Sequence, residues 1–132
     1  MGIELAPIRR MPSVLVVEDC RDIAKILASH LSGAGYRVAI ARDGAEALKS
    51  VSRWVPDCIL LDLMMPVMTG IELMHVLRED PATARIPVVL VSARIGEGRT
   101  HVFTEGEANY CVGKPFTRRQ VLDAIGAVLP VP

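Results

Sequence analysis

The sequence has few aromatic residues and no net charge, and its apolar runs are short. Its five aromatic side chains, among 132 residues, require a mainly aliphatic core. The 15 basic residues balance the 15 acidic ones, which excludes the broad positive field that nonspecific nucleic-acid binding requires. Apolar runs such as residues 58–61 (C-I-L-L) are far too short to span a bilayer. We therefore expect neither nucleic-acid binding nor membrane insertion.

The three cysteines form no paired framework. Cys58 and Cys111 lie in apolar runs, and Cys20 stands apart from both. Such a pattern is typical of reduced thiols and predicts a cytoplasmic location. Residues 1–12 contain no apolar stretch that resembles a secretion signal, and we interpret them as an N-terminal extension. The hydrophobic content of 51% fits one folded domain, which we place at residues 13–129, with a short tail at 130–132.

Short apolar runs alternate with longer amphipathic stretches. The runs are rich in β-branched residues and predict buried strands at residues 13–17, 36–40, 58–61, 86–91 and 110–112. Apolar residues at helical spacing predict helices at residues 20–32, 44–53, 71–79 and from 118 onward. A weaker helix is expected over 95–105, because Gly96 and Gly98 each cost about 1 kcal/mol relative to alanine. This alternation predicts a doubly wound α/β fold, with five parallel strands in one sheet and helices on both faces.

Charged and polar side chains follow the predicted strands. Glu18 and Asp19 end the first strand, Asp62 ends the third, Ser92 ends the fourth, and Lys114 follows the fifth. Ligands of open parallel sheets bind at the carboxyl ends of the strands. Carboxylates held close together raise one another's pKa unless a cation neutralises them, and all-oxygen ligands suit Mg²⁺. The pattern therefore predicts a Mg²⁺ site, with a lysine placed to pair with a phosphoryl oxygen.

The motifs at these strand ends resemble those of a known family. They are V-L-V-V-E-D at 14–19, P-D-C-I-L-L-D-L-M-M-P-V-M-T-G at 56–70, I-P-V-V-L-V-S-A at 86–93 and K-P-F at 114–116. In order and spacing they resemble the receiver domains of bacterial two-component response regulators, which have the CheY-like, flavodoxin-like fold. The resemblance covers residue 13 to about residue 129.

The resemblance implies a phosphoacceptor module with a Mg²⁺ cofactor. Asp62 would take a phosphoryl group from a phosphohistidine on a sensor histidine kinase or a histidine phosphotransfer protein. Asp19, Asp62 and the backbone carbonyl of Met64 would ligate Mg²⁺, and Glu18 would act through water. The module would signal by conformational change to an output partner that the sequence does not identify, and would act on no substrate other than itself.

Further residues would hold the phosphoryl group. The resemblance implies that Lys114 pairs with it, that the Ser92 hydroxyl hydrogen-bonds to it, and that the Ala93 amide donates to it. Members of the family usually hold the Lys114–Pro115 bond cis, which would direct Lys114 toward the site. Phosphoryl transfer depends mostly on positioning and charge neutralisation, which these groups supply.

The chain departs from the family at its conformational switch. The family's aromatic position, three residues before the lysine, holds Cys111, and Tyr110 lies one residue earlier. Adjacent strand residues face opposite sides of a sheet. Either a bulge shifts the strand, or the aromatic partner of Ser92 is missing, and the ungapped count favours the second interpretation. We expect phosphorylation to be reported by ordering of residues 95–105 instead.

Other functions fit the sequence less well. A phosphatase of the haloacid-dehalogenase type requires an acid two residues after its nucleophile, where this chain has Met64. A flavodoxin-like cofactor binder requires a Gly/Ser/Thr-rich loop after the first strand, where this chain has E-D-C-R at 18–21. A receiver that binds partners without phosphorylation stays open because of Cys111. The chain is either a stand-alone receiver or part of a larger transcription regulator or hybrid kinase.

Overall fold

The fold is a single twisted sheet flanked by helices, and the computed structural model describes it at residues 11–63, 65, 68–92, 100–101 and 109–129. The strands are β1 (Ser13–Val17), β2 (Arg37–Ala41), β3 (Cys58–Asp62), β4 (Val88–Ser92), β5 (Thr100–His101) and β6 (Tyr110–Gly113). The helices are α1 (Arg21–Gly33), α2 (Gly44–Arg53), α3 (Gly70–Glu79) and α4 (Arg118–Val128). The sheet order is β2-β1-β3-β4-β6-β5. Five strands pair in parallel and β5 pairs antiparallel to β6, so the predicted doubly wound fold is confirmed.

The core lies on both faces of the sheet. Alternate residues of β1 point to opposite faces, so that Leu15 packs with residues of α2 and α3 while Val16 packs with residues of α1 and α4. All residues of β1, β3 and β4 are buried. Central parallel strands covered on both faces require continuous apolar runs, which is why these strands were visible in the sequence.

The segment between β4 and β6 differs from the prediction. A helix was expected over residues 95–105, but Thr100 and His101 within it form β5, opposite Val112 and Cys111 of β6. The prediction of a helix is therefore wrong at these two residues, and the rest of residues 95–105 lies outside the described residues. The edge of β6 offers unpaired backbone groups to any neighbouring chain, whereas the glycines at 96 and 98 weaken a helix.

Side-chain caps begin three helices at the carboxyl edge of the sheet. Asp43 accepts a hydrogen bond of 2.7 Å from the Glu46 amide at the start of α2. Thr69 and Glu72 form a reciprocal capping box at the start of α3, and Thr117 forms one with Gln120 at the start of α4. Such caps satisfy backbone amides that the first helical turn leaves without partners. Asp43 and Thr117 are therefore the N-caps of α2 and α4.

At the opposite edge of the sheet, a carboxylate links the residues at the starts of β1 and β3. Asp57, directly before β3, accepts hydrogen bonds from the amide and hydroxyl of Ser13 at 2.8 and 3.1 Å. This contact aligns the starts of β1 and β3. Among the helices that the structure describes, none combines the length and the apolar character needed to cross a membrane.

Candidate functional site

Three carboxylates and one ammonium group meet at the carboxyl edge of the sheet. Glu18, Asp19 and Asp62 each place a carboxylate oxygen within 4.8 Å of the others. The Nζ atom of Lys114 lies 3.1 Å from Glu18 Oε1 and 3.3 Å from Asp62 Oδ1. The lysine therefore bridges two carboxylates that come from different strands, as a clustered site at the strand ends requires.

Backbone pairing places these side chains. The Glu18 amide donates to the Ala41 carbonyl at 3.0 Å, which extends the β1–β2 ladder by one residue. Asp62 is the last residue of β3 and pairs with Val91. The Lys114 amide donates to the Ser92 carbonyl at 3.0 Å. Because each residue lies on or directly after a ladder, the sheet itself positions the charged groups.

Burial shapes the electrostatics of the cluster. Glu18 is 1% exposed and Asp62 is 4% exposed, while Asp19 faces solvent. Burial, together with the charge of Asp62, raises the pKa of Glu18 to about 7, although the hydrogen bond from the Cys20 amide and the nearby Lys114 oppose the shift. Burial alone would lower the pKa of Lys114, but its hydrogen bond to Glu18 and the charges of Asp62 and Glu18 raise it overall.

The donor set fits a hard divalent cation. All three acidic side chains offer oxygen ligands, which Mg²⁺ prefers, and one of them, Asp19, is accessible from solvent. Three carboxylates face one ammonium group, so the cluster carries excess negative charge that a cation would neutralise. The charge of Asp62 contributes, after burial, to the raised pKa of Glu18.

Of the remaining predicted ligands of the phosphoryl group and of Mg²⁺, only Ser92 is among the described residues. Ser92 is fully buried at the end of β4 and pairs with Gly113 of β6. Met64 and Ala93 lie outside the described residues. The Lys114–Pro115 peptide bond is cis, as the resemblance implies.

The two switch candidates lie on opposite faces of the sheet. Cys111 is fully buried among the residues that pack on α2 and α3, whereas Tyr110 packs against the cluster on α1 and α4. The pairs from Val89–Tyr110 to Ser92–Gly113 follow one another residue by residue. This regular pairing agrees with the ungapped count, which places a cysteine at the family's aromatic position.

One close contact at the site was missed in the sequence analysis. Gly70, the first residue of α3, packs against the backbone of Asp62 and Leu63. In the sequence, Gly70 stands out only as the last residue of the motif at 56–70. The first position of a helix does not require the backbone freedom of glycine. A glycine there, directly after the threonine cap, was therefore a signal that a side chain at this position would meet a close neighbour.

Sequence comparisons agree with this geometry. A family model described as the response regulator receiver domain matches residues 14–126. The response regulator PleD of Caulobacter vibrioides is 40% identical over 103 residues, which make up 78% of this chain and 23% of PleD. The DNA-binding response regulator MtrA of Mycolicibacterium smegmatis is 35% identical over 116 residues, 88% of this chain and 50% of MtrA. The chain thus spans half or less of the length of these two relatives.

Solved structures show the same fold. The chemotaxis response regulator CheY4 of Vibrio cholerae is 29% identical with a TM-score of 0.79, and the match covers 91% of this chain and 100% of CheY4. The receiver domain of the sensor histidine kinase PA1611 of Pseudomonas aeruginosa is 26% identical with a TM-score of 0.78 over 89% of this chain and 97% of that domain, and it holds a magnesium ion in its active-site cleft. With its strand order, its clustered carboxylates and these matches, the chain belongs to the family of response regulator receiver domains of two-component systems.

Proposed function

We propose that Asp62 of this receiver domain accepts a phosphoryl group from a phosphohistidine on a sensor histidine kinase or a histidine phosphotransfer protein. One observation carries the proposal: the Asp62 carboxylate is 4% exposed at the end of β3 and lies 3.3 Å from the Lys114 ammonium. A buried carboxylate beside one cation, at the ligand-binding edge of a parallel sheet, is suited to act as a nucleophile.

The transfer follows from these positions. An oxygen of Asp62 attacks phosphorus and forms a P–O bond, while the P–N bond to the donor imidazole breaks. The electron pair of that bond stays on the imidazole nitrogen, which takes a proton. Lys114 pairs with a phosphoryl oxygen as the transferred charge shifts, and the Ser92 hydroxyl and the Ala93 amide complete its hydrogen bonds. Positioning and charge neutralisation supply most of the catalysis in phosphoryl transfer.

The acidic cluster would hold Mg²⁺. Asp19, Asp62 and the Met64 carbonyl would be its protein ligands, and Glu18 would act through water. The bound ion neutralises negative charge on the phosphoryl oxygens. The magnesium in the cleft of the PA1611 receiver supports this assignment. The chemistry is confined to the domain's own phosphorylation and dephosphorylation, so the domain acts as a signalling module and its phosphorylated form is the signal.

Two further observations support proposals about the cellular location of the module and about the larger protein to which it belongs. Cys20, Cys58 and Cys111 are free thiols, which supports a cytoplasmic location. MtrA, half of whose length this chain covers, is a DNA-binding response regulator. This supports, as a second candidate, a role as the receiver part of a larger transcription regulator that places DNA binding outside residues 13–129.

Mass spectrometry of the intact protein tests the proposal. With Mg²⁺ and acetyl phosphate, the wild-type protein should gain the mass of one phosphoryl group, and Asp62→Asn should gain none. Asp57→Asn is the matched control, because Asp57 lies just before the start of the same strand and its carboxylate bonds to Ser13. Labelling that persists in Asp62→Asn, or a wild-type protein that stays unlabelled, would overturn the proposal.

A further inference from the structure

Helix α3 begins directly on the peptide of the proposed phosphoacceptor. A methyl group in place of the Gly70 hydrogen would lie 2.5 Å from the Asp62 carbonyl oxygen, 2.8 Å from Leu63 Cα and 3.2 Å from the Asp62 carbonyl carbon. Real Cβ atoms essentially never lie within 3.0 Å of another group. The space beside the Asp62–Leu63 peptide therefore admits only glycine.

This peptide is held from two sides. The Gly70 amide donates to the Leu63 carbonyl at 3.0 Å, and the Leu63 amide donates to the Val91 carbonyl at 3.1 Å. The capping box of Thr69 and Glu72 fixes the first turn of α3, to which Gly70 belongs. The backbone that carries the Asp62 carboxylate thus lies between β4 on one side and the start of α3 on the other.

We propose that Gly70 is a positioning residue for phosphoryl transfer, a conclusion that rests on the proposed role of Asp62. A side chain at residue 70 would meet backbone atoms, which cannot rotate away, so the Asp62–Leu63 peptide would have to move. The Asp62 carboxylate would move with it, away from its place 3.3 Å from Lys114 Nζ. A misplacement of about 1 Å at a reacting group can cost about a hundredfold in rate.

The molecule supplies two matched glycines for the test. Gly44 is the first residue of α2, as Gly70 is of α3, but the three atoms nearest to an added methyl group there are all side-chain atoms of Met68, with Cγ at 2.9 Å. At Gly126 in α4, no atom of the described residues lies within 4 Å of an added methyl group. Gly44→Ala therefore controls for crowding at the start of a helix, and Gly126→Ala controls for the exchange of glycine for alanine. Only Gly70→Ala is expected to displace Asp62.

The experiment measures labelling by acetyl phosphate in Gly70→Ala, Gly44→Ala and Gly126→Ala, each corrected for the folded fraction. We expect the maximal rate at saturating acetyl phosphate to fall at least tenfold in Gly70→Ala, with little change in the half-saturating concentration, and to stay within about twofold in the other two variants. A merely structural role would lower the folded fraction without lowering the corrected rate. Equal corrected rates in Gly70→Ala and Gly44→Ala would overturn the proposal.

A second variant decides the matter if Gly70→Ala does not fold. Thr69→Ala loosens the first turn of α3 without adding an atom, and Asp43→Ala removes the corresponding cap of α2 as its control. We expect the corrected rate to fall at least threefold in Thr69→Ala only, and equal rates in the two variants would overturn the proposal. A wild-type protein that is not labelled at all would instead count against the role of Asp62.

Discussion

The two halves of the sheet differ in how closely they follow the family pattern. In the half built on β1 and β3, the acidic residues after both strands come together with Lys114 as expected. In the half that ends in β6 and β5, the aromatic position holds Cys111, and a short strand occupies part of a predicted helix. The charged cluster needs only charged side chains at strand ends, whereas the switch typical of the family needs an aromatic ring at one position. We therefore expect phosphoryl chemistry and its transmission to vary independently, which the following variants test.

Removing the cation of the charged cluster should have the largest effect. In Lys114→Met, Glu18 and Asp62 lose the ammonium that bridges them, although the lysine is 21% exposed. We expect a loss of about 3 kcal/mol of stability and labelling that is slower by about a hundredfold. Urea unfolding and acetyl phosphate labelling measure the two effects. Lys25→Met, at an exposed site on α1, is the control, and equal losses in both variants would contradict the assigned role.

The raised pKa of Glu18 predicts a pH dependence of stability. The carboxyl group has an ordinary pKa of 4.5 when unfolded and a pKa of about 7 in the fold, mainly because of burial. Between these values the folded state binds more protons than the unfolded state, so stability without Mg²⁺ should fall as the pH rises. In Glu18→Gln, the loss of unfolding free energy between pH 5 and pH 8 should be about 2 kcal/mol smaller than in the wild-type protein.

Urea unfolding at pH 5 and pH 8 in a chelating buffer tests this dependence. Relative to Glu18→Gln, the wild-type protein should be less stable at pH 8 than it is at pH 5. Asp22→Asn, at an exposed residue in the first turn of α1, is the control and should keep the wild-type slope. The same slope in all three proteins would show that Glu18 does not take up a proton on folding.

An aromatic residue introduced at position 111 tests whether the region around β6 affects the charged cluster. Cys111 is fully buried against Leu90 and its neighbours, so Cys111→Phe should overpack this region and cost about 1 to 2 kcal/mol. Labelling per folded molecule should stay unchanged, because the charged cluster is untouched. Thermal unfolding and labelling measure both, with Cys111→Val as the control of similar volume. A large loss of labelling in Cys111→Phe would show that the two halves are coupled.

The smallest effect is expected at Gly126 in α4. Gly126 lies within α4 with open space around it, so Gly126→Ala should stabilise the protein by about 0.5 kcal/mol through helix propensity. Urea unfolding measures this gain. A loss of stability would show that this part of α4 has a close neighbour.

Sequence periodicity was sufficient for most of the fold. The buried strands read as apolar runs because helices cover both faces, and the caps at Asp43 and Thr117 mark helix starts through local hydrogen bonds. The acidic cluster followed from the rule that parallel strands end at one edge. These features depend on neighbours in sequence or on a general rule of topology, which is why one sequence reveals them.

The rest depends on contacts between distant residues. The hydrogen bond of Lys114 to Glu18 joins residues 96 positions apart, and no local pattern predicts its geometry. Thr100 pairs with Val112, twelve residues further along the chain, and a pattern of neighbouring residues does not specify such a pairing. The close approach of Gly70 to the backbone of Asp62 depends on how α3 packs at the end of β3.

The central claim is that Asp62 is the phosphoacceptor, and locating the modified residue tests it most directly. After labelling with acetyl phosphate and Mg²⁺, borohydride reduces an acyl phosphate on aspartate to homoserine, and peptide sequencing by mass spectrometry finds its position. The account predicts this change at position 62 and at no other acidic residue. A change at Asp19 or Glu18, or no change in a folded and Mg²⁺-saturated protein, would contradict it.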